Sequence, residues 1–168
     1  MKATSIAVVV AGVVLVACAN SSKSKTVPPT TLPTERCGSH VQTDFDAGLE
    51  SRTVIAGPVA MVPSRVTPVP GGTSPAGNFK LAVRLDAKAE AILRTKTRGT
   101  SLMFDRTRAR QDNAYRLADG TKSVRLTGCP DQSAPFVGAV LTSGPRTVDV
   151  DVVTKGRRTP VKLTAFGE

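Results

Sequence analysis

Arg94, Lys96, Arg98, Arg106, Arg108 and Arg110 fall within 17 positions, opposed inside that span only by Asp105. Arginine presents a planar fork of donors that matches phosphate or carboxylate oxygens, so a run of this kind points to anion binding. If the segment is a hairpin with a ragged arm, the six side chains form one cationic surface. The other reading is a solvated edge whose charges block edge-to-edge pairing. The remaining reactive types are sparse. His40 is the only histidine. Ser39 and Asp44 lie near it in sequence, but no Gly-x-Ser-x-Gly turn is present, and nearness along the chain does not make a triad. Asp44, Asp46 and Glu50 offer three carboxylates, yet the fifth position of a calcium loop beginning at Asp44 is Gly48 and the sixth is Leu49. That misses the required side-chain ligand and the required glycine, so the segment reads as a polar turn. Asp149 and Asp151 alternate on a strand pattern, placing both on one wet face about 7 Å apart. One histidine and three cysteines leave no zinc constellation. The inventory predicts a protein that is not an enzyme and carries no cofactor or metal.

The N-terminus says more. After Met1-Lys2 an uncharged apolar run extends from Ala3 to Ala17 and closes on Leu15-Val16-Ala17-Cys18. A single cation, a short apolar stretch and small residues at its end form the layout of a secretory signal. A membrane-spanning anchor needs about 20 apolar residues, and this run is shorter and interrupted by Thr4, Ser5 and Gly12. Leu15-Val16-Ala17-Cys18 resembles the lipobox of bacterial lipoproteins. The resemblance implies removal of residues 1–17 and a diacylglycerol on the Cys18 thiol, which would hold the protein on the extracytoplasmic face of the cell membrane. Ala17-Cys18-Ala19 also fits the small-x-small site of an ordinary signal peptide, which would make the chain freely secreted.

With Cys18 lipidated, Cys37 and Cys129 remain as a pair in an oxidising compartment, where a disulfide is the default. Loss of Lys2 with the signal lowers the net charge from +10 to +9. Such a chain is drawn to anionic surfaces. Outside the cytoplasm these are phospholipid headgroups and anionic envelope polymers, and not nucleic acid.

Residues 18–36 hold Ser, Thr, Lys and the prolines Pro28, Pro29 and Pro33, a composition that reads as an extended linker. The domain is expected over residues 37–168. Phe79-Lys80-Leu81-Ala82-Val83-Arg84-Leu85 and Val148-Asp149-Val150-Asp151-Val152 alternate with period two, and Ser123–Thr127 and Val161–Leu163 do so more briefly, as strands wet on one side. Gly57-Pro58, Asp119-Gly120, Ser143-Gly144-Pro145 and Lys155-Gly156 punctuate them as turns. Asp119-Gly120 predicts a hairpin joining Tyr115-Arg116-Leu117 to Ser123–Thr127. Pro63–Gly77 reads as a long loop. Residues 87–96 fit either a short helix capped by Asp86 or a strand following a turn at Leu85–Ala89, and the flanking strands favour the second.

Seven or eight antiparallel strands in about 130 residues predict an all-β, Ig-like β-sandwich, with one short helix at most. Thr127-Gly128-Cys129-Pro130, Pro135-Phe136-Val137-Gly138 and Gly144-Pro145-Arg146 are similar to segments of uncharacterised secreted actinobacterial β-rich domains. In those a second cysteine often follows the Gly-Pro-Arg, where this chain has Thr147. That resemblance implies no activity. Together these features predict a lipid-anchored envelope lipoprotein whose domain binds an anionic envelope polymer or another envelope protein. The alternative is an adaptor docked to a membrane enzyme or transporter.

Overall fold

The computed structural model describes residues 31–38, 52–67, 78–105, 115–144 and 147–165. The described residues form ten strands: β1 (Thr34–Arg36), β2 (Val54–Ala56), β3 (Val59–Thr67), β4 (Asn78–Leu85), β5 (Glu90–Thr95), β6 (Thr100–Met103), β7 (Ser123–Thr127), β8 (Ala134–Thr142), β9 (Thr147–Thr154) and β10 (Arg157–Thr164). They build two five-stranded sheets packed as a sandwich. The first runs β1-β7-β5-β9-β10 and the second β2-β3-β4-β8-β6.

Alternation dictates the packing. On β4, Phe79, Leu81, Val83 and Leu85 are at most 1% exposed, while Lys80 and Arg84 between them face solvent. Ala91 and Leu93 of β5, Val124 and Leu126 of β7 and Val148, Val150 and Val152 of β9 face them from the other sheet and share the same core. Aromatic rings are few, and the three phenylalanines among the described residues fill the interior. Phe79, Phe104 and Phe136 are all buried.

Gly138 on β8 is the position where the core leaves no room for a side chain. A Cβ there would lie 2.5 Å from a ring carbon of Phe104 and 2.6 Å from the Met103 carbonyl oxygen. The ring could swing aside, but the backbone oxygen cannot move without disturbing β6. Gly138→Ala is therefore expected to destabilise the domain by about 1–3 kcal/mol, the usual cost of overpacking a tight core. Urea unfolding checks this, and an unchanged midpoint would show that β6 is free to shift.

Several expectations change. The strands number ten, not seven or eight, and one pair is parallel. β1 lies alongside β7 with Thr34 opposite Arg125 and Arg36 opposite Thr127. Composition placed Thr34–Arg36 in the linker, but pairing to β7 and the adjacent Cys37 recruit it into the sheet. Residues 90–95 are a strand, and the short helix is absent from the described residues. A 3₁₀ turn at Leu117–Asp119 replaces the expected Asp119-Gly120 hairpin. Asp119 accepts the Arg116 backbone N–H at 2.7 Å, and Ser101 donates to the Leu117 carbonyl at 2.8 Å, so this segment folds onto β6 instead of onto β7. Pro63–Thr67 extends β3 through a register shift between Pro63 and Val66, and residues 68–77 lie outside the described residues. The turns after β4 and after β5 carry the chain from one sheet to the other, so neither closes a hairpin.

Lys155-Gly156 does close one. Thr154 and Arg157 pair directly across it, and both turn residues have positive φ, 47° and 76°. A two-residue turn of this hand matches the twist of its strands, and it fixes the whole β9–β10 register.

Candidate functional site

Because β5, β7, β9 and β10 bury alternate residues, their remaining side chains form one outer face. Across it, Arg125 of β7 lies opposite Ile92 of β5, which lies opposite Val153 of β9, which lies opposite Arg158 of β10. In the neighbouring row Ser123, Arg94, Asp151 and Pro160 follow one another in the same way. Lys162 faces Asp149 one step further on. Lys96, just past β5, is tied to this end of β9, its backbone N–H donating to the Asp149 carbonyl at 2.9 Å.

Of the six cations in the 94–110 run, Arg94 and Lys96 sit on this face, and Arg98 occupies the exposed turn between β5 and β6. Arg106, Arg108 and Arg110 lie outside the described residues. The run is not a hairpin, since β5 and β6 belong to different sheets. The fold instead brings Arg94 and Lys96 together with Arg125, Arg158 and Lys162, which the sequence reading did not single out. A signal for two of them was present. A two-residue turn at Lys155-Gly156 counts back to Arg158 opposite Val153 and Lys162 opposite Asp149.

Asp151 departs most from expectation. It was placed on a wet strand face, yet it is only 4% exposed, whereas Asp149 remains exposed. Its Oδ2 accepts from Nε of Arg158 at 2.8 Å, and Nζ of Lys96 stands 4.0 Å away. Arg94, directly opposite in register, turns the other way and donates from Nε to Ser123 Oγ at 3.2 Å. Glu90 pairs with Arg125 at 3.2 Å. The two aspartates are thus not an equivalent carboxylate pair: one is sequestered beneath cations, the other is open. Around Asp151 lies a depression of about 420 Å³ lined by Lys96, Asp149, Arg158, Pro160, Val161 and Lys162.

A larger groove, about 760 Å³, opens at the end of the sandwich between Asp86, Lys88, Glu90, Ile92, Val153 and Lys155. Its rim carries two acids and two lysines, so it favours neither sign of charge. Lys88 and Lys155 both have positive φ, but each occupies a tight turn that demands it. Volume alone would choose this groove, and charge chooses the β9–β10 depression.

Cys37 and Cys129 form a disulfide, with Cα atoms 4.9 Å apart. Cys18, His40, Asp44, Asp46 and Glu50 lie outside the described residues. Among the described residues no cluster of His, Cys, Asp and Glu could hold a metal ion. No family model, no curated protein and no solved structure matches this chain.

Proposed function

We propose that this protein is a lipoprotein anchored through a diacylglycerol on Cys18 to the extracytoplasmic face of the cell membrane. Its sandwich binds an anionic component of the envelope through the outer face of β7, β5, β9 and β10. One observation carries the reading: Arg94 and Lys96 at the end of β5, Arg125 of β7, and Arg158 and Lys162 of β10 come from three parts of the chain distant in sequence, yet they meet on adjacent rows of one sheet face. In this reading the domain binds and does not catalyse. The anchor adds membrane proximity, at about 0.8 kcal/mol per buried methylene of each acyl chain.

The sandwich is read as Ig-like. Strands β3-β4-β8-β6 correspond to the ABED sheet and β7-β5-β9-β10 to C′CFG, with the C′ and D equivalents exchanged in chain order. β1 and β2 are additions at the edges.

Two measurements test the proposal. Intact mass of the membrane-extracted protein should show a lipid increment on a chain starting at Cys18, abolished by Cys18→Ser. Residues 18–168 prepared without the lipid should bind anionic vesicles and not neutral ones, and Arg94→Glu with Arg125→Glu should weaken this by at least about tenfold at low salt. Equal binding to both kinds of vesicle would remove the electrostatic reading.

A further inference from the structure

The depression over Asp151 holds more order than a general cationic face requires. The geometry points to a phosphate-binding site, in which Arg158, Lys96 and Lys162 hold the phosphate and Asp151 is a positioning residue for Arg158. This rests on the anion-binding reading above and narrows it to one ligand class and one place.

Asp151 is the first support. A carboxylate 6% exposed on the outer side of a sheet loses most of its hydration, while its partners Arg158 and Lys96 remain 55% and 49% exposed. Ion pairs with half-solvated partners return little stability for that loss. What the contact does achieve is orientation. The guanidinium spends its Nε–H on Asp151 Oδ2, which fixes the plane of the fork and leaves the two terminal amino groups for another acceptor. Lys96 approaches the same carboxylate from the β5 side, and Lys162 lines the depression from two residues beyond Pro160 on β10.

Charge and shape select the ligand. Lys96, Arg158 and Lys162 against Asp149 and Asp151 leave a surplus of one positive charge at the depression, and Arg94 in the adjoining row adds another. Lys96 from the end of β5 and Arg158 and Lys162 from β10 bring three donors from two sides, which suits a tetrahedral oxyanion with several free oxygens better than a planar carboxylate, which one fork can satisfy alone. The volume, about 420 Å³, admits a phosphate with an ester substituent resting on Pro160. The shared chemistry is a phosphate group, whether it comes from a lipid headgroup or from a soluble or polymeric phosphate.

The test uses residues 18–168 without the lipid, so that vesicle binding reads the domain and not the anchor. Chemical-shift titration with inorganic phosphate, and co-sedimentation with phosphatidylglycerol or phosphatidylcholine vesicles, read the two sources. Arg158→Gln is expected to weaken whichever interaction the wild type shows by about tenfold, and Arg158→Lys should not restore it. Lys80→Gln, at an exposed position of β4 on the other sheet, removes one positive charge as well and should change it by no more than about twofold. Asp151→Asn gives the decisive sign. A purely electrostatic surface would bind anions more tightly once a negative charge is removed, whereas a positioning carboxylate predicts weaker binding. Lys162→Gln, at an exposed position, keeps the test valid if Asp151→Asn unfolds the domain. Inorganic phosphate binding would assign the site to the phosphate group itself, and vesicle binding alone would assign it to a headgroup. Tighter or unchanged binding by Asp151→Asn would overturn the phosphate site while leaving the cationic face standing, and equal losses from Lys80→Gln and Arg158→Gln would overturn both. A wild-type protein that binds neither phosphate nor anionic vesicles would overturn both.

Discussion

Cys37→Ser is expected to lower the stability of the domain by about 3–5 kcal/mol, and reduction of the wild-type protein should do the same. The disulfide joins positions 92 residues apart, and constraint of so long a loop in the unfolded chain is where most of this stabilisation arises in the chain-entropy account. The native contacts it supports add a local effect. β1 has only three residues and one neighbour, held besides the disulfide by the Cys37 N–H to Thr127 carbonyl bond at 3.0 Å and the Arg125 N–H to Pro33 carbonyl bond at 2.9 Å. The other cysteine steadies a turn. The Cys129 carbonyl accepts from the Lys88 N–H at 2.7 Å, and Gly128 donates to the Ala89 carbonyl at 2.8 Å. Loss of the bridge should therefore release β1 first and then loosen residues 86–89, the wall of the larger groove. Thermal melts with and without reductant measure the first effect, and hydrogen exchange at the Arg125, Lys88 and Gly128 amides measures the second. A melt indifferent to reductant, with unchanged exchange, would show that the bridge adds nothing to this fold.

Phe136→Ala should cost about 3–5 kcal/mol. Phe136 is 1% exposed on β8, a strand paired on both sides, by β4 through Val83 and by β6 further along. The core it belongs to is built mostly from Val, Leu and Ala, whose short side chains cannot close over the space that a ring vacates. Lost burial and an unfilled cavity then add together. Phe136→Leu should lose clearly less, and Ile55→Ser, at a position 71% exposed, should be nearly neutral. Denaturant titration of the three variants checks the order. A Phe136→Ala loss no larger than that of Ile55→Ser would mean that the two sheets are not packed as described.

Much of the strand content could be read directly. β4, β7 and β9 follow the alternation of Phe79–Leu85, Ser123–Thr127 and Val148–Val152, because burial on one side of a sheet imposes period two whatever the sheet's partners. The Lys155-Gly156 hairpin was equally legible, since a tight turn is a property of two residues. The hairpin proposed at Asp119-Gly120 fared worse. Asp119-Gly120 lies where Leu117–Asp119 folds onto β6, and the chain between β5 and β6 changes sheets. A turn sequence records that the chain bends, and it does not record which sheet the next strand will join.

A β-rich domain with strands buried on one side, a cysteine pair and an excess of basic residues can be read from the chain alone. These follow from local periodicity, composition and arithmetic over few reactive residues. Which cations meet depends on how strands far apart along the chain pair in three dimensions. Arg94 and Lys96 join Arg125, Arg158 and Lys162 because β5 sits between β7 and β9, a pairing of strands far apart along the chain. The three-dimensional packing also makes Asp149 and Asp151, identical in type and in strand position, differ in burial. That difference comes from the diagonal reach of Arg158 across β10 and of Lys96 from the end of β5, contacts that no spacing along β9 encodes.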